Sequence, residues 1–134
     1  MRKFLLINIL LFCVSFAFAQ EIYDNDTIYS VQDVDVKPQF PGGEKELYKW
    51  LSENQKEFTT LRHYAGSYKG ICIFTVDKFG NVKNVRITKS SGIDFFDDEY
   101  VRVIQLMPKW QPAEKNGEKV SCDFILPITI IFKI

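Results

Sequence analysis

The densest group of side chains that could perform chemistry is a run of carboxylates, Asp94, Asp97, Asp98 and Glu99. Carboxylates this close together can bind a divalent cation or act as an acid–base pair. No second group of ligands accompanies them, and acidic residues are also favourable in the first turns of a helix, where they face the positive end of its dipole. We therefore interpret them as helix-start residues and predict neither a metal site nor a cofactor.

A second candidate is Pro41-Gly42-Gly43, because a glycine-rich turn before a helix can bind an anion through free backbone amides. A phosphate-binding loop would continue with Lys and then Ser or Thr, and this sequence does not. We interpret these three residues as the turn that begins a helix.

The remaining nucleophiles and bases form no catalytic pattern. The chain has one histidine, His63, and it lies in a polar loop rather than beside a serine or cysteine. One histidine with Cys72 and Cys122 does not match the usual ligand spacing of a zinc site. The sequence therefore does not predict an enzyme, and a small secreted enzyme or enzyme inhibitor is kept only as the alternative from another functional class.

The first nineteen residues have the pattern of a secretory signal peptide. Basic Arg2-Lys3 leads into an apolar run, Phe4 to Ala19, that ends in Ala17-Phe18-Ala19. We predict cleavage between Ala19 and Gln20, which leaves a secreted protein without a stable membrane anchor. The alternative is an uncleaved anchor, but the run has 16 residues, whereas a membrane-spanning helix needs about 20.

Residues 20–134 suit one small domain preceded by a short segment. Loss of Arg2 and Lys3 leaves 15 basic side chains against 17 acidic ones, so no nucleic-acid surface is predicted. We interpret residues 20–37 as a flexible lead-in with one weak strand pairing near Val34 to Val36. Residues 38–134 form the domain.

Hydrophobic periodicity in the domain predicts the order helix, strand, strand, helix, strand. Cys72 and Cys122 would lie at opposite ends of adjacent strands, so we expect no disulfide between them. Trp110 is expected to close the core. The elements are a helix at 44–54, a strand at 70–77, a turn at Gly80-Asn81, a strand at 82–89, a helix at 95–107 capped by Asp94 and stopped by Pro108, a turn at Asn116-Gly117, and a strand at 120–134.

The last strand is predicted to lie at a sheet edge. Its even positions are all apolar and its odd positions mostly polar, which is the pattern of a strand with one buried face. Pro127 has no N–H for a ladder and is tolerated mainly at an edge. Connection geometry then favours an α+β fold with a three-stranded antiparallel sheet, in the order second, first, third, and two helices on one face.

An open edge can accept a strand from another protein or from a second copy of the same chain. Because Pro127 removes one outward donor, we expect pairing at 121–125 or at 129–133. The predicted partner-binding residues are Ser121, Asp123, Ile125, Thr129, Ile131 and Lys133.

Several short motifs, taken in this order and spacing, resemble the TonB C-terminal domain family between about Val36 and Phe132. The resemblance implies an αββαβ domain in the periplasm that contacts outer-membrane transporters, with a transporter segment paired along the last strand. The motifs are Phe40-Pro41-Gly42-Gly43, Phe74-Thr75-Val76-Asp77, Gly80-Asn81-Val82, Ser90-Ser91-Gly92, Met107-Pro108-Lys109-Trp110 with Pro112, Asn116-Gly117, and Leu126-Pro127-Ile128.

The sequence departs from the family in two places. It has no proline-rich linker, so we expect a binding module, of transporters or of other envelope proteins, rather than an energy transducer; a transducer anchored in the inner membrane is the alternative if residues 4–19 are not cleaved. Before the first strand, Phe58 to Arg62 stands where the family usually has Tyr-Pro followed by Ala.

Overall fold

The computed structural model describes residues 27–55 and 66–132. The predicted signal peptide with its Ala19–Gln20 cleavage site, His63 and Lys133 lie outside these residues. The elements are β1 (Ile28–Tyr29), a 3-10 turn (Val31–Asp33), α1 (Glu44–Asn54), β2 (Gly66–Val76), β3 (Val82–Lys89), α2 (Asp94–Gln105), β4 (Ala113–Lys115) and β5 (Glu118–Phe132).

The three long strands lie side by side in the order β5-β2-β3, with β2 in the centre. β2 runs antiparallel to both neighbours, and its register with β5 is unbroken from Gly66 opposite Phe132 to Val76 opposite Cys122. Even residues of both strands therefore share one face, where Cys72 and Leu126 are buried opposite each other.

The prediction of a three-stranded, fully antiparallel sheet is wrong in detail. The sheet is mixed and has five strands among the described residues, because β1 pairs in parallel with β5 and β4 pairs antiparallel with the start of β5. Both added strands are only two or three residues long, too short to show a period in the sequence. β4 pairs where β5 extends beyond the end of β2, whereas β1 pairs with β5 on the side away from β2.

Residues 27–37 are structured rather than a flexible lead-in. Ile28 and Tyr29 lie opposite Ser121 and Cys122, and Val36 forms an antiparallel bridge with Glu114. The pairing expected near Val36 is thus confirmed, and β4 is its partner.

A tight turn sets the start of β5. Asn116 has φ 52° and Gly117 has φ 78°, the two positive values that a two-residue type I′ hairpin requires. The turn places Lys115 opposite Glu118 and joins β4 to β5 as a hairpin.

The two helices follow the predicted positions, but the start of α2 differs. Asp94 is its first helical residue, and Ile93 occupies the cap position without a side-chain hydrogen bond. Asp97 instead accepts hydrogen bonds from Ser91 N at 3.0 Å and from Ser91 Oγ at 2.6 Å. The prediction that Asp94 caps the helix is therefore wrong. Asp97, one turn into the helix, makes the hydrogen bonds to the preceding loop instead.

The core lies between the helices and the even face of β2 and β5, and it is rich in aromatic rings. The ring of Trp110 lies 5.6 Å from that of Phe40, 5.3 Å from that of Phe74 and 5.0 Å from that of Phe124, measured between centroids. These tilted or edge-to-face pairs contribute about 0.5–1.5 kcal/mol each beyond the area that they bury. Trp110 is buried, as predicted.

Adjacent phenylalanines of α2 allow a matched test of the core. Phe96 is 1% exposed and Phe95 is 53% exposed. We expect Phe96→Ala to lower the free energy of unfolding by about 3–5 kcal/mol, the usual result of removing a buried ring. Phe95→Ala should lower it much less. Urea unfolding of both variants measures the difference, and equal losses would show that α2 packs through another face.

Candidate partner-binding edge and its groove

Within 27–55 and 66–132, no strand covers the outer side of β5 over most of its length. On the side away from β2, the described residues pair with β5 only at Ser121 and Cys122, where β1 lies. Pro127 stands opposite Ile71 in the unbroken register. Since proline fits where the missing N–H would face away from the neighbouring strand, the backbone at odd positions of β5 points outward.

The structure separates the predicted partner-binding residues into two groups. Ile125 is 54% exposed and Ile131 is 64% exposed, and Thr129 between them is also exposed. These three share the open part of the edge.

Ser121 and Asp123, by contrast, are engaged within the domain. Ser121 is buried beside β1, and its Oγ accepts a hydrogen bond from Lys78 N at 3.2 Å. The expectation of an open edge that begins at Ser121 is therefore wrong. Sequence patterning missed this because β1 is too short to predict.

The Asp123 carboxylate ties the three long strands together across the face of the sheet away from the helices. Its Oδ1 accepts a hydrogen bond from Thr75 Oγ1 on β2 at 2.6 Å, and its Oδ2 accepts one from Arg86 Nη2 on β3 at 2.9 Å. Both carboxylate oxygens of Asp123 are thus hydrogen-bonded. Asp123 links β5 to β2 and β3 at the point where the open part of β5 begins.

The opposite edge of the sheet, β3, has features that discourage strand addition. Its pairing with β2 is interrupted by two register shifts, and Asn84 has a positive φ of 54°. Lys83 and Lys89 are exposed along it. Irregularity and lysines are how edge strands avoid pairing with other chains. The described part of β5 from Ile125 to Phe132 has neither a charged residue nor a register shift.

A groove of about 310 Å³ lies beside the open edge. One wall is α1, the other includes α2 and the middle of β5, and no residue that lines it is charged. The lining residues are Tyr48, Leu51, Ser52, Gln55, Tyr100, Leu126, Pro127 and Thr129. Sequence reasoning did not find this groove, because its walls come from three elements whose contact only the fold creates.

Tyr100 lines the groove, and its surroundings raise the pKa of its hydroxyl. Burial raises the pKa of its hydroxyl above the ordinary value of 10.0, while a hydrogen bond with Gln55 acts in the opposite direction. The hydroxyl is therefore neutral at physiological pH, and the groove carries no charge from this residue.

The motif residues outside the edge serve the fold. Gly43 N donates to Phe40 O at 2.8 Å, which closes the turn of Pro41-Gly42-Gly43 directly before α1. Asp77 accepts hydrogen bonds from Phe79 N and from Asn81 N, and this holds the turn between β2 and β3.

Gly80 and Trp110 lock that turn against the loop after α2. Trp110 N donates to Gly80 O at 2.8 Å. A Cβ on Gly80 would lie 2.2 Å from Trp110 O, and the φ of Gly80 is +88°. Pro108 lies three residues beyond the last residue of α2, Gln105, and starts the extended path that brings Trp110 into the core.

Two of the four carboxylates of α2 have structural partners, and Asp94 and Asp98 are exposed. Glu99 and Arg102 form an ion pair within the helix, and Asp97 binds the Ser90-Ser91 loop. Although burial raises the pKa of Asp97, hydrogen bonds from Ser90 and Ser91 outweigh this and lower it below the ordinary 3.8. Within 27–55 and 66–132, no group of three or more His, Cys, Asp or Glu residues could hold a metal ion.

Cys72 and Cys122 are both buried and unbridged, as expected. Cys72 lies opposite Leu126 and Cys122 opposite Val76, so the two are four register positions apart along β5. Burial raises the pKa of each thiol to about 11. Both are therefore protonated and inert at neutral pH.

Comparison with known proteins found one family model that matches part of the chain. Residues 69–134 match the family model described as Gram-negative bacterial TonB protein C-terminal. This part of the chain, which begins within β2 and ends at the C-terminal residue, matches the same TonB C-terminal domain family that the sequence motifs resemble. The family is one of protein-interaction domains and is not an enzyme family.

The family match is shorter than the motif resemblance, which starts at about Val36 and includes α1. No curated protein matches the chain. Among the helices of the described residues, none has the length and apolar character that crossing a membrane requires.

The Gly80–Trp110 contact gives a second matched test. We expect Gly80→Ala to destabilise the protein by more than the roughly 1 kcal/mol that a positive φ alone costs a side chain, because its Cβ would also collide with the Trp110 carbonyl. Gly117→Ala is the control, since Gly117 also has a positive φ but a Cβ there would have no neighbouring atom within 4 Å. An equal decrease in melting temperature in both variants would show that the close contact of Gly80 with Trp110 does not stabilise the fold.

Acid titration tests the Asp97 loop anchor. A carboxylate whose folded pKa is below its unfolded pKa stabilises the fold above the unfolded value, here 3.8, and this stabilisation is lost as the pH falls through the folded value. Asp97→Asn should therefore lower unfolding free energy by about 1–3 kcal/mol at pH 7 and weaken its decline below about pH 5. Asp98→Asn, at an exposed position, is the control. An unchanged acid profile in Asp97→Asn would contradict the anchor.

Proposed function

We propose that this protein is a periplasmic protein-binding module that takes up an extended segment of a partner along the open edge of β5. The partner class is an outer-membrane transporter of the TonB-dependent kind or another envelope protein. The single observation that carries the proposal is the edge from Ile125 to Ile131, which is uncharged, regular and not paired by any other described residue on its outer side, whereas the other edge of the sheet is protected.

Physical reasons favour strand addition over other modes of binding. Outward N–H and C=O groups at odd positions offer a row of hydrogen bonds, each worth about 0.5–1.5 kcal/mol net, and a pairing strand satisfies them without a conformational change. Ile125 and Ile131 add apolar surface beside that row. Such an edge, left unprotected, would otherwise favour aggregation.

The same edge would permit two copies of the chain to pair. A symmetric dimer would cover it in both copies, so dimerisation would compete with partner binding. Sedimentation at increasing concentration, with and without the partner segment, distinguishes a resting dimer from a monomer. We expect the segment to dissociate any dimer that forms through β5.

Crosslinking in the cell identifies the partner. A photoreactive residue placed at Ile125 or at Ile131 should capture it, whereas the same residue at exposed Thr88 on β3 should not. Capture of a transporter or another envelope protein from the β5 positions alone is expected. Equal capture from β3 would exclude β5 as the docking edge.

Proline substitution then tests the mode of binding. Ile131→Pro removes one outward donor, so we expect the fold to persist and affinity for the captured partner to fall by about two- to tenfold or more. Ile130→Pro is the control, because its N–H points toward β2 and its loss should destabilise the sheet itself. Circular dichroism and a binding titration measure both effects. Normal binding by a folded Ile131→Pro protein would refute strand addition there.

A further inference from the structure

The groove beside β5 has an unusual relation to the edge. Leu126, Pro127 and Thr129, three of its lining residues, belong to the edge strand itself. A strand added outside β5 would therefore pass along the mouth of the groove. Because alternate side chains of a strand point to the same face of a sheet, one of its side chains would be directed at the groove.

The groove lies beside Pro127, the position at which a ladder between β5 and an added strand would lack one hydrogen bond. Pro127 cannot donate a hydrogen bond, so an added strand loses one partner at this position. Binding there has to come from side-chain contact. The groove supplies it within one residue of the missing donor.

We propose that the groove is the specificity pocket of the docking edge and receives one large, uncharged apolar side chain of the added strand. This inference rests on the strand addition proposed above. It names the partner by its chemistry: an extended segment with a leucine-sized or aromatic residue that pairs beside Pro127.

The chemistry of the walls determines this choice. Leu51 and Leu126 are buried and form an apolar floor, while the ring of Tyr48 is 49% exposed and offers a flat surface at the mouth. A side chain that enters would bury apolar area against all three. Apolar side chains that become buried in a pocket on binding usually contribute most to affinity.

The lining also disfavours charged side chains. Ser52, Gln55 and Thr129 offer only neutral polar groups, and none of the lining residues is Lys, Arg, Asp or Glu. An ionised side chain would lose water without gaining a counter-charge, which is costly. The groove should therefore reject charged residues at the position beside Pro127.

Short synthetic peptides test this inference without knowledge of the partner. The probe is a blocked seven-residue peptide of threonines with one variable central residue, so that only one side chain can fill the groove. Amide shifts of Ile125, Thr129 and Ile131 report pairing with the edge. We expect the leucine and phenylalanine peptides to bind at least about tenfold more tightly than the alanine peptide, and the glutamate and lysine peptides to bind no better than alanine.

Substitutions on α1 link this preference to the groove. Ser52→Trp should fill the groove and abolish the preference for leucine over alanine while leaving the alanine peptide bound. Glu53→Trp, at an exposed position that does not line the groove, is the matched control and should keep the preference. Ser52→Lys should shift the preference toward glutamate, which gives a gain of binding that a misfolded variant could not show.

The outcomes separate the two proposals. Edge shifts that do not depend on the central residue, or a leucine preference that survives Ser52→Trp, would overturn the pocket and leave strand addition intact. Absence of edge shifts with every peptide would overturn both.

Discussion

Most of this fold depends on the placement of one side chain, Trp110. Its ring contacts Phe40 before α1, Phe74 on β2 and Phe124 on β5, and its backbone is hydrogen-bonded to the turn between β2 and β3. β2, β5 and the segment that leads into α1 thus meet at a single indole.

The two edges of the three long strands, β3 and β5, differ in regularity and charge, and this difference is the basis of the proposed function. β3 carries register shifts and exposed lysines, whereas the open part of β5 is regular and uncharged. β1 covers β5 at Ser121 and Cys122, and the next residue, Asp123, links the strand to β2 and β3 by hydrogen bonds. The exposed length is therefore limited to about the size of one short peptide strand.

Binding edge and proposed pocket come from different parts of the chain. β5 lies within residues 69–134, which match the family. The wall formed by Tyr48, Leu51 and Ser52 of α1, with Gln55 directly after the helix, precedes the matched residues. Backbone pairing depends little on sequence, whereas a pocket reads a side chain. In the two proposals, pairing along β5 therefore contributes affinity and the wall formed by α1 contributes selectivity.

Local physics explains what the sequence alone determined. Strict alternation from Val120 onward defined β5 and its buried face, Pro127 indicated an edge, and Asn116-Gly117 and Gly80-Asn81 marked turns, because each depends on residues adjacent in the chain. Only the tertiary structure decided that β1 covers Ser121, that Asp123 joins three strands, and that Asp97 rather than Asp94 anchors the loop before α2. The groove belongs to the same group, since α1, Tyr100 and β5 lie far apart in sequence. Contacts between distant residues arise from the packing of whole elements, and no local period encodes them.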